Sequence, residues 1–121
     1  MAKTILIFEK NELNLKLFND ILQANSYKTI LTSDERNSLS LAKVHHPDLI
    51  IMGIQFPSAS DLEVAKLMKS DDILSTTPII AVTALTMKHD EEKIRNCGCD
   101  GYITKPISIP EFLDTIQSFL N

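Results

Sequence analysis

Short apolar runs alternate along this chain with stretches of helical period, starting with Thr4-Ile5-Leu6-Ile7-Phe8. Runs this short and this apolar read as strands buried on both faces, and the periodic stretches between them as amphipathic helices. Asn11 can accept from the free N–H groups of a helix start, and Leu13, Leu17, Ile21 and Leu22 predict that helix's inner stripe. A second strand is expected over Tyr27 to Leu31. Ser33 or Asp34 opens the next helix, polar at Arg36 and Asn37 before Leu39 and Ala42 resume an inner face, and His46-Pro47 ends it.

Asp48-Leu49-Ile50-Ile51-Met52 predicts the central strand, with Gly53 at its end. A loop over Gln55 to Ser60, containing Pro57, leads to a helix with Leu62, Ala65 and Met68 on one side. Pro78 to Thr83 is the next buried strand, its proline at the first position, where a missing N–H is tolerated. A charged helix follows over Lys88 to Asn96, closed by Gly98 as a left-handed cap. Gly101 to Thr104 is the last strand. Ser108-Ile109-Pro110-Glu111 then combines a capping box with an early proline, and Phe112, Leu113, Ile116, Phe119 and Leu120 form the final stripe. Five βα units account for residues 1–121 as one α/β domain with a parallel five-stranded sheet wound on both faces. No repeat, linker or composition shift marks a second domain.

Composition narrows the function classes. At 121 residues, with 44% hydrophobic and 23% charged, the chain can bury one sizeable core. A net charge of -4 with no basic cluster gives nucleic acid no reason to bind. The first apolar run is far shorter than the roughly 18 to 20 residues of a membrane span, so a cytoplasmic protein without signal peptide or membrane contact is expected. Cys97 and Cys99 lack further ligands in sequence and read as a reduced pair, not a zinc site. Three glycines are too few for a glycine-rich phosphate loop, and no nucleophile, base and orienting group cluster. An enzyme or flavin carrier is not expected.

In an open α/β sheet, ligands bind outside the carboxyl ends of the strands. Those ends supply Phe8-Glu9-Lys10, Gly53, Thr83-Ala84 and Lys105-Pro106. With the strings EKNELNLKLF, PDLIIMGIQFP, PIIAVTALTMK, DEEKIRNCGC and YITKPIS, they make the chain resemble a DivK-type response-regulator receiver domain along nearly its whole length. The resemblance implies the CheY-like, flavodoxin-like strand order 2-1-3-4-5 and a stand-alone receiver of a two-component or phosphorelay system, with no output domain, in cell-cycle or developmental regulation. In that family an aspartate ending the third strand accepts a phosphoryl group, magnesium is held by it and an acidic pair, and a threonine and a lysine contact the phosphoryl oxygens. Glu9, Thr83 and Lys105 match. Tyr102 matches the aromatic that moves with the threonine as a switch, and Lys105-Pro106 resembles the family's cis peptide.

Two positions depart where the chemistry is least forgiving. Gly53 has no side chain where the nucleophile should stand, and Lys10 replaces the second carboxylate of the acidic pair. Three carboxylates and a lysine would sum to -2, whereas Glu9, Lys10 and Lys105 (-1, +1, +1) sum to +1. A hard dication that wants carboxylate oxygen is repelled by such a set. The expectation is a degenerate phosphoacceptor pocket of Glu9, Lys10, Gly53, Thr83 and Lys105 that binds no magnesium, needs no cofactor and takes no phosphate: a pseudo-receiver. Asp61, where related sequences carry glycine, is a lesser departure. Lys10 either pairs inward with Glu9 or points to solvent. Two lysines about 4 Å apart would repel by on the order of 4 kcal/mol at a dielectric of about 20, so an anion must separate Lys10 from Lys105 if both enter.

The alternative keeps a phosphorelay role, with Glu9, Asp61 or a nearby serine as acceptor. Expected partners are a sensor histidine kinase, a phosphotransferase or another regulator. The resemblance places their contacts at Asn14 and Leu17 of the first helix and at Tyr102, Lys105 and Pro106 around the last strand. His45, His46 and His89 are expected at the surface, Met52, Met68 and Met87 in packing, and Asp71-Asp72 in a solvated loop.

Overall fold

A computed structural model of the chain describes residues 2–54, 59–84 and 88–120, without the side chains of 35, 59–61 and 88–91. Its elements run β1 (Thr4–Phe8), α1 (Glu12–Ala24), β2 (Lys28–Thr32), α2 (Glu35–His45), β3 (Leu49–Ile54), α3 (Ala59–Ser70), β4 (Ile79–Thr83), α4 (Lys88–Asn96), β5 (Gly101–Thr104) and α5 (Ile109–Leu120). All strand pairs are parallel, in the order β2-β1-β3-β4-β5. This is the doubly wound arrangement expected from the pattern. β3 and β4 are buried at every residue because helices cover both faces.

Alternation along the strands builds two apolar layers. Ile5, Ile7, Leu49, Ile51, Ile80, Val82 and Ile103 face α1 and α5, while Leu6, Phe8, Ile50, Met52, Ile79 and Ala81 face α2, α3 and α4. Phe18 of α1 stacks on Phe112 of α5 with ring centroids 5.4 Å apart and closes the first layer.

That stacking corrects the stripe expected for α1. Its buried residues are Phe18, Ile21 and Leu22, whereas Leu13 is 80% and Leu17 41% exposed. The aromatic offers more surface to bury and has a partner ring, and turning it inward rotates Leu13 and Leu17 off the core face. β2 lies one residue later than expected, and β3 runs one residue past Gly53, to Ile54. α3 begins at Ala59, inside the loop expected over Gln55 to Ser60; residues 55–58, Met87 and the side chains of Asp61 and His89 lie outside what is described.

The caps are local chemistry. Asn11 Oδ1 accepts from Asn14 N at 3.0 Å, and Asp34 Oδ1 from Arg36 N at 2.9 Å. Gly98 closes α4 at φ 97°, as a left-handed cap requires. Asp71 is not simply solvated: its side chain, 15% exposed, pairs with Lys43 of α2 at 3.1 Å and accepts from Ile73 N and Leu74 N. Met52 and Met68 are fully buried packing, and His45 and His46 are exposed.

Candidate functional site

Register carries the chemistry to one end of the sheet. Ile7 lies beside Ile51 and Phe8 beside Met52, so one step further Glu9 stands next to Gly53, on the face of α1 and α5. Glu9 N still donates to Thr32 O at 3.1 Å, and Lys105 N to Thr83 O at 2.9 Å, so both residues continue their ladders past the strand ends. By the same alternation Lys105 follows Ile103 onto that face, while Thr83 follows Ile79 and Ala81 onto the other.

Glu9 is 1% exposed, and its carboxylate has two partners. Oε1 accepts from Asn11 N at 3.1 Å and Oε2 faces Lys105 Nζ at 3.4 Å. The carboxylate lies over Gly53, in the space a side chain there would claim: a Cβ on residue 53 would overlap Glu9 Oε2 and Cδ and sit 3.2 Å from Glu9 Cβ. Lys105, 17% exposed in its side chain, therefore pairs Glu9, while Lys10 is exposed. The peptide Lys105-Pro106 is cis.

Thr83 is fully buried, and its Oγ1 has no hydrogen-bond partner among the described residues. Tyr102 is half-buried against the layer under α2, α3 and α4, with the Arg95 guanidinium 6.0 Å from its ring centroid. Cys97 and Cys99 are free thiols with sulfurs 3.4 Å apart. The hydrogen bond from Cys99 holds the Cys97 thiol down at about 7 and, in return, pushes Cys99 far up.

The donor set does not fit magnesium. Glu9 brings a single carboxylate whose oxygens already face an N–H and an ammonium, and Gly53 brings no donor. Among the described residues no three His, Cys, Asp or Glu side chains gather as a metal site.

Beside this pocket a groove of about 520 Å³ opens between α1 and the β5–α5 connection, lined by Asn14, Leu17, Phe18, Ala84, Lys105, Pro106 and Ile107. It brings together four of the five residues expected at a partner contact. Tyr102, the fifth, is not in its wall. Phe18, Ala84 and Ile107 were not foreseen there. The spacing of Phe18, Ile21 and Leu22 was a readable signal for the first, and Ala84 stands at the strand end named with Thr83; nothing local marked Ile107.

The match to the response regulator receiver domain model covers residues 5–117. The chain is also 54% identical over 120 residues to the polar-differentiation response regulator DivK of Brucella ovis, covering 99% of this chain and 98% of that one. This chain belongs to the response regulator receiver family. The receiver is thus a DivK-like component of two-component signalling, a regulator and not an enzyme. Its fold superimposes on chemotaxis response regulator CheY4 of Vibrio cholerae with a TM-score of 0.89 at 22% identity, over 98% of this chain and 99% of that one. A sensor histidine kinase receiver domain from Pseudomonas aeruginosa, described with magnesium coordinated in its active site cleft, gives 0.88 at 24% identity over 98% of each chain. Among the described residues of this receiver, no helix is long and apolar enough to cross a membrane.

Proposed function

We propose that this receiver signals by occupancy, as a pseudo-receiver that engages a protein partner without accepting a phosphoryl group. The observation that carries the reading is the Glu9 carboxylate lying over Gly53, in the place of the missing side chain. Phosphoryl transfer asks for a nucleophile in line and for positive charge on the equatorial oxygens. Here residue 53 offers no nucleophile, and the Lys105 ammonium already faces Glu9. The poor fit of this donor set to magnesium supports the same reading.

The partner is a sensor histidine kinase, a phosphotransferase or another regulator, docked on the groove formed by Asn14, Leu17, Lys105 and Pro106. An apolar floor with a few polar groups at its rim suits the face of a helix from such a protein. Likeness to polar-differentiation response regulators supports a task in cell-cycle or developmental control. Action in the cytoplasm goes with partners of this kind. Tyr102 and Thr83 remain candidates for a switch that the partner, in place of phosphate, would drive.

Incubation with acetyl phosphate and magnesium, followed by intact mass measurement, tests the reading. The mass is expected to stay unchanged, and a stoichiometric gain of one phosphoryl group overturns it. One observation favours a second reading, in which Glu9 is itself the acceptor: its carboxylate stands over residue 53 within reach of Lys105. Loss of such a gain in Glu9→Gln would identify that acceptor.

A further inference from the structure

We infer that Gly53 and Glu9 form one device: the absent side chain at position 53 makes the room in which Glu9 stands as an internal carboxylate, a positioning residue that keeps Lys105 turned into the pocket. The inference rests on the receiver reading of this pocket and is independent of any partner.

A carboxylate that is 1% exposed is costly unless it is paired. Glu9 meets that requirement by folding over Gly53, where Asn11 N and Lys105 Nζ both reach it. Any Cβ at position 53 would collide with the end of the Glu9 side chain and crowd its Cβ at 3.2 Å, so an inward Glu9 and a side chain at 53 exclude one another. Lys105 is held with only 17% of its side chain exposed, between the exposed residues Thr104 and Pro106. Lys105 also lines the groove, so the carboxylate over Gly53 helps to set one wall of the neighbouring surface.

The competing account is that Gly53 is only an acceptor lost and tolerated. The two accounts differ in sign. Gly53 lies in a strand paired on both sides, at a φ that is not left-handed, and glycine in a strand interior is normally a weakness. If nothing needs the space, Gly53→Ala should raise stability. If Glu9 needs it, Gly53→Ala should lower stability, and only while Glu9 is present.

The experiment is a double-mutant cycle of Gly53→Ala and Glu9→Ala on the full chain, read by thermal unfolding and by the amide resonances of Asn11 and Lys105. In the wild-type background Gly53→Ala is expected to lower Tm by about 4 °C or more and to shift both resonances. In the Glu9→Ala background the same change is expected to leave Tm level or raise it, with both resonances unmoved. Glu9→Gln keeps the volume without the charge, so there the Gly53→Ala loss should persist while the Lys105 resonance already differs from wild type. Equal Tm changes in both backgrounds, or an Asn11 resonance that ignores Gly53→Ala, overturn the inference. Should Gly53→Ala fail to fold, recovery of folding in the double variant supports it, and an equally unfolded double overturns it. Phosphoryl uptake by the wild-type chain would sink the occupancy reading and leave this cycle intact; a flat cycle sinks only the internal carboxylate.

Discussion

Lys105 belongs to two neighbouring regions that treat it differently. Toward the sheet its ammonium faces Glu9, only 1% exposed and packed over Gly53; toward α1 it lines a groove together with Leu17, which is 41% exposed. The first region is closed, charged and internally paired. The second is open and mainly apolar. A receiver can lose the inner arrangement's chemistry and keep the outer surface, because the pocket depends on a few side chains at strand ends, whereas the groove depends on how α1 and α5 lie on the sheet. In this molecule position 53 of the pocket has no side chain, while the layer beneath the groove is fully buried at Phe18 and Phe112.

The largest expected effect tests that shared support. Phe18 stacks on Phe112 and also lines the groove, so Phe18→Ala should cost about 3–5 kcal/mol in urea unfolding. It should weaken partner binding as well, through the collapse of the groove's floor. A loss well under about 1 kcal/mol would mean that the two regions do not rest on one core.

Lys105→Met separates the two uses of that residue, keeping most of the stem's volume and removing the charge. Leaving Glu9 buried and unpaired should cost about 2–3 kcal/mol, somewhat below the range for a fully buried pair because Lys105 is partly exposed. Partner affinity, measured by titration calorimetry, should change less than stability does. If affinity falls while stability holds, the lysine serves the surface and not the pocket.

Leu17→Asp is the converse. At an exposed helix position it should alter stability by no more than about 0.5 kcal/mol. Binding to a kinase or phosphotransferase domain should weaken by about tenfold or more, on the order of 1.4 kcal/mol. Unchanged binding to every such partner would remove the groove from the interface.

The smallest effect lies away from both regions. The hydrogen bond from Lys43 holds the Asp71 carboxyl below its ordinary value, helped by the N–H groups of Ile73 and Leu74. A depressed carboxyl contributes stability above its unfolded pKa, and that contribution is lost as pH falls through the folded one. Lys43→Ala should therefore be slightly less stable than wild type at neutral pH, with the gap closing below about pH 4. Acid unfolding curves that stay parallel to wild type would show the pair to be inert. Partner binding should not respond.

Much of this was legible before any coordinates. The periods of two and 3.6, with Asn11, Asp34, Gly98 and Ser108-Ile109-Pro110-Glu111 as punctuation, yield ten elements with errors of a residue or two at their ends. Cap chemistry is local and so can be read locally. The α1 stripe went astray because Leu13 and Leu17 also fit a helical spacing; only the ring of Phe112, far along the chain, decides that Phe18 turns inward. The groove's Ile107 had no local mark at all.

The chain by itself determined the order of strands and helices, the absence of a carboxylate at position 53 and the positive sum of Glu9, Lys10 and Lys105. Composition and pattern fix these because they do not depend on where any side chain points. Where the one remaining carboxylate would point was open in the sequence, and so was which lysine would hold it. Register decides the first by setting Glu9 beside Gly53, and a contact across 96 residues decides the second by bringing in Lys105. A buried charge takes the partner and the space that packing leaves it, and here the space is the one Gly53 vacates.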